Sequence, residues 1–245
     1  MAELVDREDD NGLTTLTLNR PDKLNALNVA VFEALRRHVD IIATQSESVG
    51  VVVVRGAGKC FSAGHDLADL AEETEASLRF EGATIERLAN LPQVVISAVH
   101  GHCYTGALEL ALAGDLIAAS ESAKFADTHA KWAVTPIWGM TQRLPRRVGL
   151  SKAREMMFTC RAYDSAAALA MGLANFRFPD AGFDSAVRGL GREILAQSWF
   201  THRANKQALL ETDGLSLGQG LGREVYRTGP DMQARISTFM TKAKR

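Results

Sequence analysis

Glu109 is the residue whose surroundings most invite chemistry. It is the single charge in the run GALELALA (106–113), which is apolar nearly all round and so reads as a buried helix rather than an amphipathic one. A carboxylate in such a place calls for a partner or a task. It stands three residues past Gly106, on the same face of the first turn. At that turn main-chain N–H groups have no helical acceptor and the helix dipole favours an anion. The stretch therefore offers an amide for an oxyanion, a glycine that permits close approach, and a base. A buried helix whose Glu109 pairs with an arginine elsewhere fits the same residues.

A second chemistry-bearing loop, CFSAGHDL (60–67), follows the β-branched run Val51–Val54 and Gly56. Ala63 is small enough for a ligand to approach its amide. If the amides of Ala63 and Gly106 converge they form an oxyanion hole, each donor contributing about 3 kcal/mol in a transition state. Small residues after a strand are also ordinary turn chemistry, and spacing alone does not show convergence.

These loops need elements to hold them. GLTTLTLN (12–19) alternates as a half-buried strand does, and Val51–Val54 reads as a strand buried on both faces. Asn28 is placed to cap a helix with apolar positions Val31, Phe32, Leu35, Val39 and Ile42. A surface-lying helical segment is expected over 67–91, an irregular, partly buried loop over 125–141, and helices from Leu150 onward. The pattern is an α/β core with a helical C-terminal extension.

Across 245 residues the chain is 46% hydrophobic and 23% charged, with a net charge of −1. That balance gives no general attraction to nucleic acid or to acidic membranes. Three widely spaced cysteines (Cys60, Cys103, Cys160) lack metal-ligand spacing and read as thiols of a reducing compartment. The acidic start MAELVDREDD has no apolar signal core and no run approaches membrane-spanning length, so a cytoplasmic protein is expected.

The segments NRPDKLNALN (19–28), GAGKCFSAGHDL (56–67), AVHGHCYTGALELALAGDLIAAS (98–120), AKFAD (123–127) and TQRLPRRVGLSKAREMMFT (141–159) together resemble the crotonase superfamily, that is, the enoyl-CoA hydratase/isomerase family. The resemblance implies a crotonase-like ββα spiral core, drawn over 1–190, and a helical trimerisation region, drawn over 191–245. It implies a homotrimer, or a homohexamer built as a dimer of trimers. It implies an enoyl-CoA hydratase that polarises the thioester carbonyl, activates water at Cβ and protonates Cα, with no metal and no cofactor beyond the coenzyme A carried by the substrate. By position, Ala63 and Gly106 match the two amide donors and Glu109 matches the carboxylate that activates water. Lys23, Ala26, Gly64, His65, Asp66 and Leu67 lie in the segments that line coenzyme A.

One departure matters. The family's second carboxylate, which would protonate Cα, falls at His129 in FADTHAKWAV. A histidine exchanges protons near neutral pH, so His129 could replace it, or it could point away and leave Glu109 to make both transfers. Loss of that acid leaves two alternatives open: decarboxylation of a methylmalonyl-type acyl-CoA, and acyl-CoA binding without turnover. Trp132, Ile137, Trp138 and Met140 could shape an acyl pocket or pack beneath the loop. Arg143, Arg146 and Arg147 are solvated-face charges or balance Glu109 or coenzyme A.

Overall fold

The computed structural model describes residues 3–70 and 74–242. Its larger sheet has the strand order β1-β2-β3-β4-β6-β9. These strands are β1 (Val5–Asp10), β2 (Leu13–Leu18), β3 (Val51–Gly56), β4 (Val94–Val99), β6 (Leu116–Ser120) and β9 (Phe176–Phe178). From β2 to β9 all neighbours are parallel, while β1 closes one edge antiparallel to β2. The valine run of β3 feeds both faces in turn. Val52 and Val54 join one apolar cluster, Val51 and Val53 the other, as the two-residue period of a strand requires. β1 (VDREDD) is not expected from its sequence. Val5 alone is buried there, and charge on an edge strand discourages pairing with another chain.

The smaller sheet is β5 (His102–Tyr104), β7 (Lys124–Ala126) and β8 (Tyr163–Asp164). Single bridges Leu27↔His65 and Ser62↔Cys103 extend its stack beyond β5. The chain thus winds in turns, placing a strand in the large sheet (β4, β6), then one in the small layer (β5, β7). This is the ββα spiral that the resemblance implies. Its consequence is positional: the residues that follow each rung of the small layer, around 65, 106 and 128, arrive side by side.

Helices pack outside this ladder. α1 (Val29–Ala43) is capped by Asn28, whose side chain accepts the Val31 N–H at 3.1 Å, and it buries the expected Val31, Phe32, Leu35, Val39 and Ile42. Burial of such side chains stabilises by roughly 1.5–3 kcal/mol each. α2 (Leu67–Leu70) and α3 (Glu75–Ala89) occupy the stretch read as surface helix. Residues 71–73, inside that reading, lie outside the described residues. α3 starts at a capping box formed by Thr74 and Ser77. α4 (Gly106–Ala111) is buried at every position, as the apolar run predicts. α5 (Met140–Thr159) is interrupted at Gly149, where φ is 77° and ψ 156°. α6 (Ser165–Ala170), α7 (Phe183–Leu195), α8 (Trp199–Thr212), α9 (Leu217–Leu221) and α10 (Met232–Lys242) complete the chain.

The boundary drawn at 190/191 is corrected: it cuts α7. Val187, Leu190, Ile194 and Leu195 of that helix pack with Leu13, Val51 and Val53 on one face of the large sheet. The core therefore runs through Leu195, and the C-terminal helical region begins at α8. No helix among the described residues is long and apolar enough to cross a membrane.

Candidate active site

A cavity of about 700 Å³ opens where the small layer meets α4 and the loop before α5. Its lining includes Ala63, His65, Gly106, Glu109, His129 and Trp138. Glu109 is 1% exposed, and it faces the cavity rather than an arginine. Its Oε1 accepts two main-chain N–H groups, from Trp138 at 2.9 Å and Met140 at 3.0 Å. Gly139 between them sits at φ 113°, in the left-handed region that favours glycine. Oε2 is left toward the cavity and lies 3.5 Å from Nε2 of His129.

His129 does not point away. Its Nδ1 lies 2.5 Å from Oδ1 of Asp127, which also accepts the His129 main-chain N–H at 3.1 Å. Asp127 and Glu109 thus hold the imidazole from both sides. Burial alone would lower the imidazole pKa, but the hydrogen bonds and charges of Asp127 and Glu109 outweigh it, and His129 is pushed up to about 9. At neutral pH it is an imidazolium whose Nε2–H faces Glu109. Asp127 was missed in the sequence. The signal available was the D-x-H spacing after a strand, which places a carboxylate next to an imidazole.

The assignment of Ala63 as an oxyanion donor is corrected. Its N–H is committed to the Leu24 carbonyl at 3.0 Å. The amide that adjoins Gly106 is two residues on: a Cβ built on Gly106 would stand 3.5 Å from the His65 main-chain nitrogen. Segments 24–27 and 63–66 lie edge to edge, with Leu27 N–H to Gly64 O at 2.8 Å and Asp66 N–H to Leu27 O at 2.7 Å. That pairing turns the alternate amides inward and outward, so Ala63 and His65 cannot exchange roles without breaking the bridge.

Gly106 is required by a neighbour. A Cβ there would meet the Trp138 ring at 2.5 Å. Thr105, just before it, is held at φ 55°, ψ −114°, a backbone region hostile to a β-branched residue. Its hydroxyl is hydrogen-bonded to that of Thr128, and the Thr128 N–H donates to it at 3.3 Å. This side-chain link ties the turn after β5 to the turn after β7 and sustains the strained conformation.

Trp132, Ile137 and Trp138 line the cavity, while Met140 is fully buried core. Leu67 and His65 also line it; Ala26, Gly64 and Asp66 lie on the paired segments and Lys23 just before them, and none of these four is among its lining residues. Arg20 fixes that pair, donating to the Ala26 carbonyl at 2.7 Å and bridging Asp66 at 3.1 Å. The three arginines of α5 are engaged elsewhere. Arg143 binds Glu86 and the Trp138 carbonyl, Arg146 binds Asp213, and Arg147 binds the carbonyls of Gly114 and Asp115. Among the described residues, neither Glu109 nor Asp127 is balanced by arginine.

A family model for enoyl-CoA hydratase/isomerase matches residues 8–224. The chain belongs to that family. Crotonase relatives agree along nearly the whole length. The chain is 34% identical over 222 residues to a probable peroxisomal enoyl-CoA hydratase 1 of Arabidopsis thaliana, covering 90% of this chain and 83% of the relative. It is 32% identical over 250 residues to the 2,3-dehydroadipyl-CoA hydratase of Escherichia coli K12, covering 99% and 97%. Among solved structures, an enoyl-CoA hydratase from Bacillus anthracis superposes with a TM-score of 0.92 at 29% identity, covering 98% of this chain and 96% of that one. A crotonase from Thermobifida fusca, described as a putative enoyl-CoA hydratase in complex with acetoacetyl-CoA, superposes at 0.83 with 25% identity, covering 99% and 96%.

Proposed function

We propose that this crotonase hydrates the 2,3 double bond of an enoyl-CoA thioester. The observation that carries the reading is the Asp127–His129–Glu109 chain: a base tethered by two amides faces an acid held protonated by a second carboxylate. The amides of His65 and Gly106 would grip the thioester oxygen. As a water oxygen bonds to Cβ, Glu109 Oε2 takes its proton, and the displaced π electrons collect on that oxygen as an enolate. The Nε2–H of His129 then protonates Cα while the carbonyl re-forms. Transfer of the proton from Glu109 to Nε2, across 3.5 Å, restores both groups. Water and substrate are consumed in a ratio of one to one, and both side chains end as they began.

The names of relatives support this class, since dehydroadipyl-CoA and methylglutaconyl-CoA hydratases are among them. Decarboxylation of a malonyl-type thioester needs the oxyanion pocket and a proton donor, but no base for water, so the tethered Glu109 weighs against it. The paired segments carrying Lys23, Ala26, Gly64, Asp66 and Leu67 are assigned to coenzyme A, and the large exposed side chains of the C-terminal helices, such as Leu209, Leu217 and Phe239, to contacts between copies of the chain.

The test follows crotonyl-CoA by loss of its conjugated enoyl absorbance, with methylmalonyl-CoA and CO₂ release as the second arm. Glu109→Gln keeps the shape and removes the base, and is expected to lower hydration about a thousandfold. Undiminished hydration by that variant, or CO₂ release without hydration by the wild type, would overturn the assignment.

A further inference from the structure

Beyond His129 the cavity wall carries a charge that the steps above leave without a task. Lys131 lies on the 3-10 turn His129–Trp132 and lines the cavity. Among the described residues it is the single lysine or arginine of that lining, and Glu109 is the single carboxylate. Glu109 is already engaged by the Trp138 and Met140 amides and by His129. Among the described residues Lys131 joins no ion pair, whereas Lys152 and Lys206 each hold a carboxylate, Glu155 at 2.6 Å and Asp115 at 2.7 Å.

The local backbone fixes where this ammonium can go. The Lys131 N–H donates to the Thr128 carbonyl at 3.0 Å, and the turn closes at Ala133, held at φ 55°. Two residues of 3-10 helix advance the chain about 4 Å along its axis, so the lysine stem starts one step past His129. The rungs of the small layer set the direction. The paired segments 24–27 and 63–66 come first, then β5 leading to Gly106, then β7 leading to His129. Lys131 therefore stands across the reacting carbons from the segments assigned to coenzyme A, on the side left for the acyl tail. Its companions in that wall include the apolar Trp132, Val134 and Ile137. The side chain of Lys131 is exposed, so before a ligand arrives its ammonium is hydrated. An uncharged tail would strip that water and return nothing, which costs free energy. A tail ending in a carboxylate would meet the ammonium where the tail itself has displaced water, and there attraction is stronger than on an open surface. One lysine thus favours one class of tail and disfavours the other.

We infer that the cavity takes enoyl-CoA thioesters whose acyl chain ends in a second carboxylate, and that Lys131 is the residue that selects them. The inference rests on the acyl-CoA reading of the cavity. Lys131 acts on the far end of the chain and takes no part in the proton transfers of Glu109 and His129.

Matched pairs of thioesters test this. One member is a trans-2-enoyl chain of about five to seven carbons ending in a carboxylate, and the other is the same chain ending in a carboxamide, which keeps the shape and removes the charge. In the wild type, kcat/KM for the best carboxylate is expected to exceed that of its carboxamide about fivefold to twentyfold, mainly through KM, and the preference should shrink as salt is raised. Lys131→Met should bring the ratio to about one, Lys131→Glu should reverse it, and Lys131→Arg should keep most of it. Each ratio is internal to one protein, so a variant that folds less well still reports it. Calorimetric titration with the saturated pairs reads the same preference as a ratio of Kd values, without turnover. A wild-type preference in binding with no hydration of any member would overturn the hydratase reading and leave the inference standing. A wild-type ratio near one overturns the inference while hydration stands. So does a Lys131→Met variant that weakens both members equally and keeps the wild-type ratio, as a lysine seated on the coenzyme A phosphates would.

Discussion

Asp127→Asn probes the tether that keeps His129 charged. In the folded protein His129 titrates at about 9 against an ordinary 6.5. Each unit corresponds to about 1.4 kcal/mol, so the protonated ring contributes about 3 kcal/mol to folding. The group's folded value is raised, so this stabilisation is fully present below about 6.5, where both states bind the proton. It declines as pH climbs and is gone once pH passes about 9. Asp127 supplies the 2.5 Å hydrogen bond and, of the two carboxylates, the larger upward influence on the ring. Replacing it with neutral Asn should remove about half of the 3 kcal/mol or more. Urea unfolding at fixed protein concentration, from pH 6 to 10, measures this directly. Wild type should lose stability through that window with a slope that flattens above 9, and the variant should show a shallower loss ending at lower pH. The rate of hydration should follow, falling above about pH 9 in the wild type and at lower pH in the variant. Parallel stability profiles for the two proteins would refute the reasoning, because the ring would then draw nothing from Asp127.

Other perturbations address the backbone around the site. In Gly106→Ala the new Cβ would stand 2.5 Å from the Trp138 ring. A cost of about 1–3 kcal/mol in unfolding free energy is expected, with at least a hundredfold loss of hydration, since displacing Trp138 also moves the amide that holds Glu109. Thr105 separates strain from hydrogen bonding. Thr105→Gly and Thr105→Val both lose the hydroxyl link to Thr128, but only glycine relaxes φ 55°, ψ −114°. Thermal unfolding should therefore find the valine variant less stable than the glycine variant by about 1–3 kcal/mol, and the opposite order would remove strain from the account.

Much of this arrangement is legible along the chain because it rests on local rules. The valines of β3, the Asn28 cap and the apolar run of α4 each follow from period and capping chemistry, and each forms where expected. Family motifs place Glu109 and His129 at one site, where they meet. The losses have a common cause in pairing between distant segments. Ala63 looks like the exposed amide because it is small. The bridge between Leu27 and His65 decides instead which amides turn inward, and no local pattern encodes that register. β1 escapes notice because an edge strand needs little apolar side chain. Glu81 reads as one more charge on a surface helix, and only the packing of α3 over the cavity shows it to be buried. The 190/191 boundary fails for the same reason, since Gly191 packs on Leu13 from the other end of the chain.

Glu109 is anchored through peptide nitrogens of Trp138 and Met140 rather than through their side chains. Any amino acid other than proline offers the same nitrogen, so a side chain at Trp138 that fills the same space leaves the anchor in place so long as the turn keeps its length and its glycine. On the proposed reading, the cavity wall at Trp138 is thereby free to diversify while the seat of Glu109 stays constant. Selectivity could be redesigned here by exchanging residues one for one, whereas inserting or deleting a single residue between His129 and Met140 would uncouple the base from its seat.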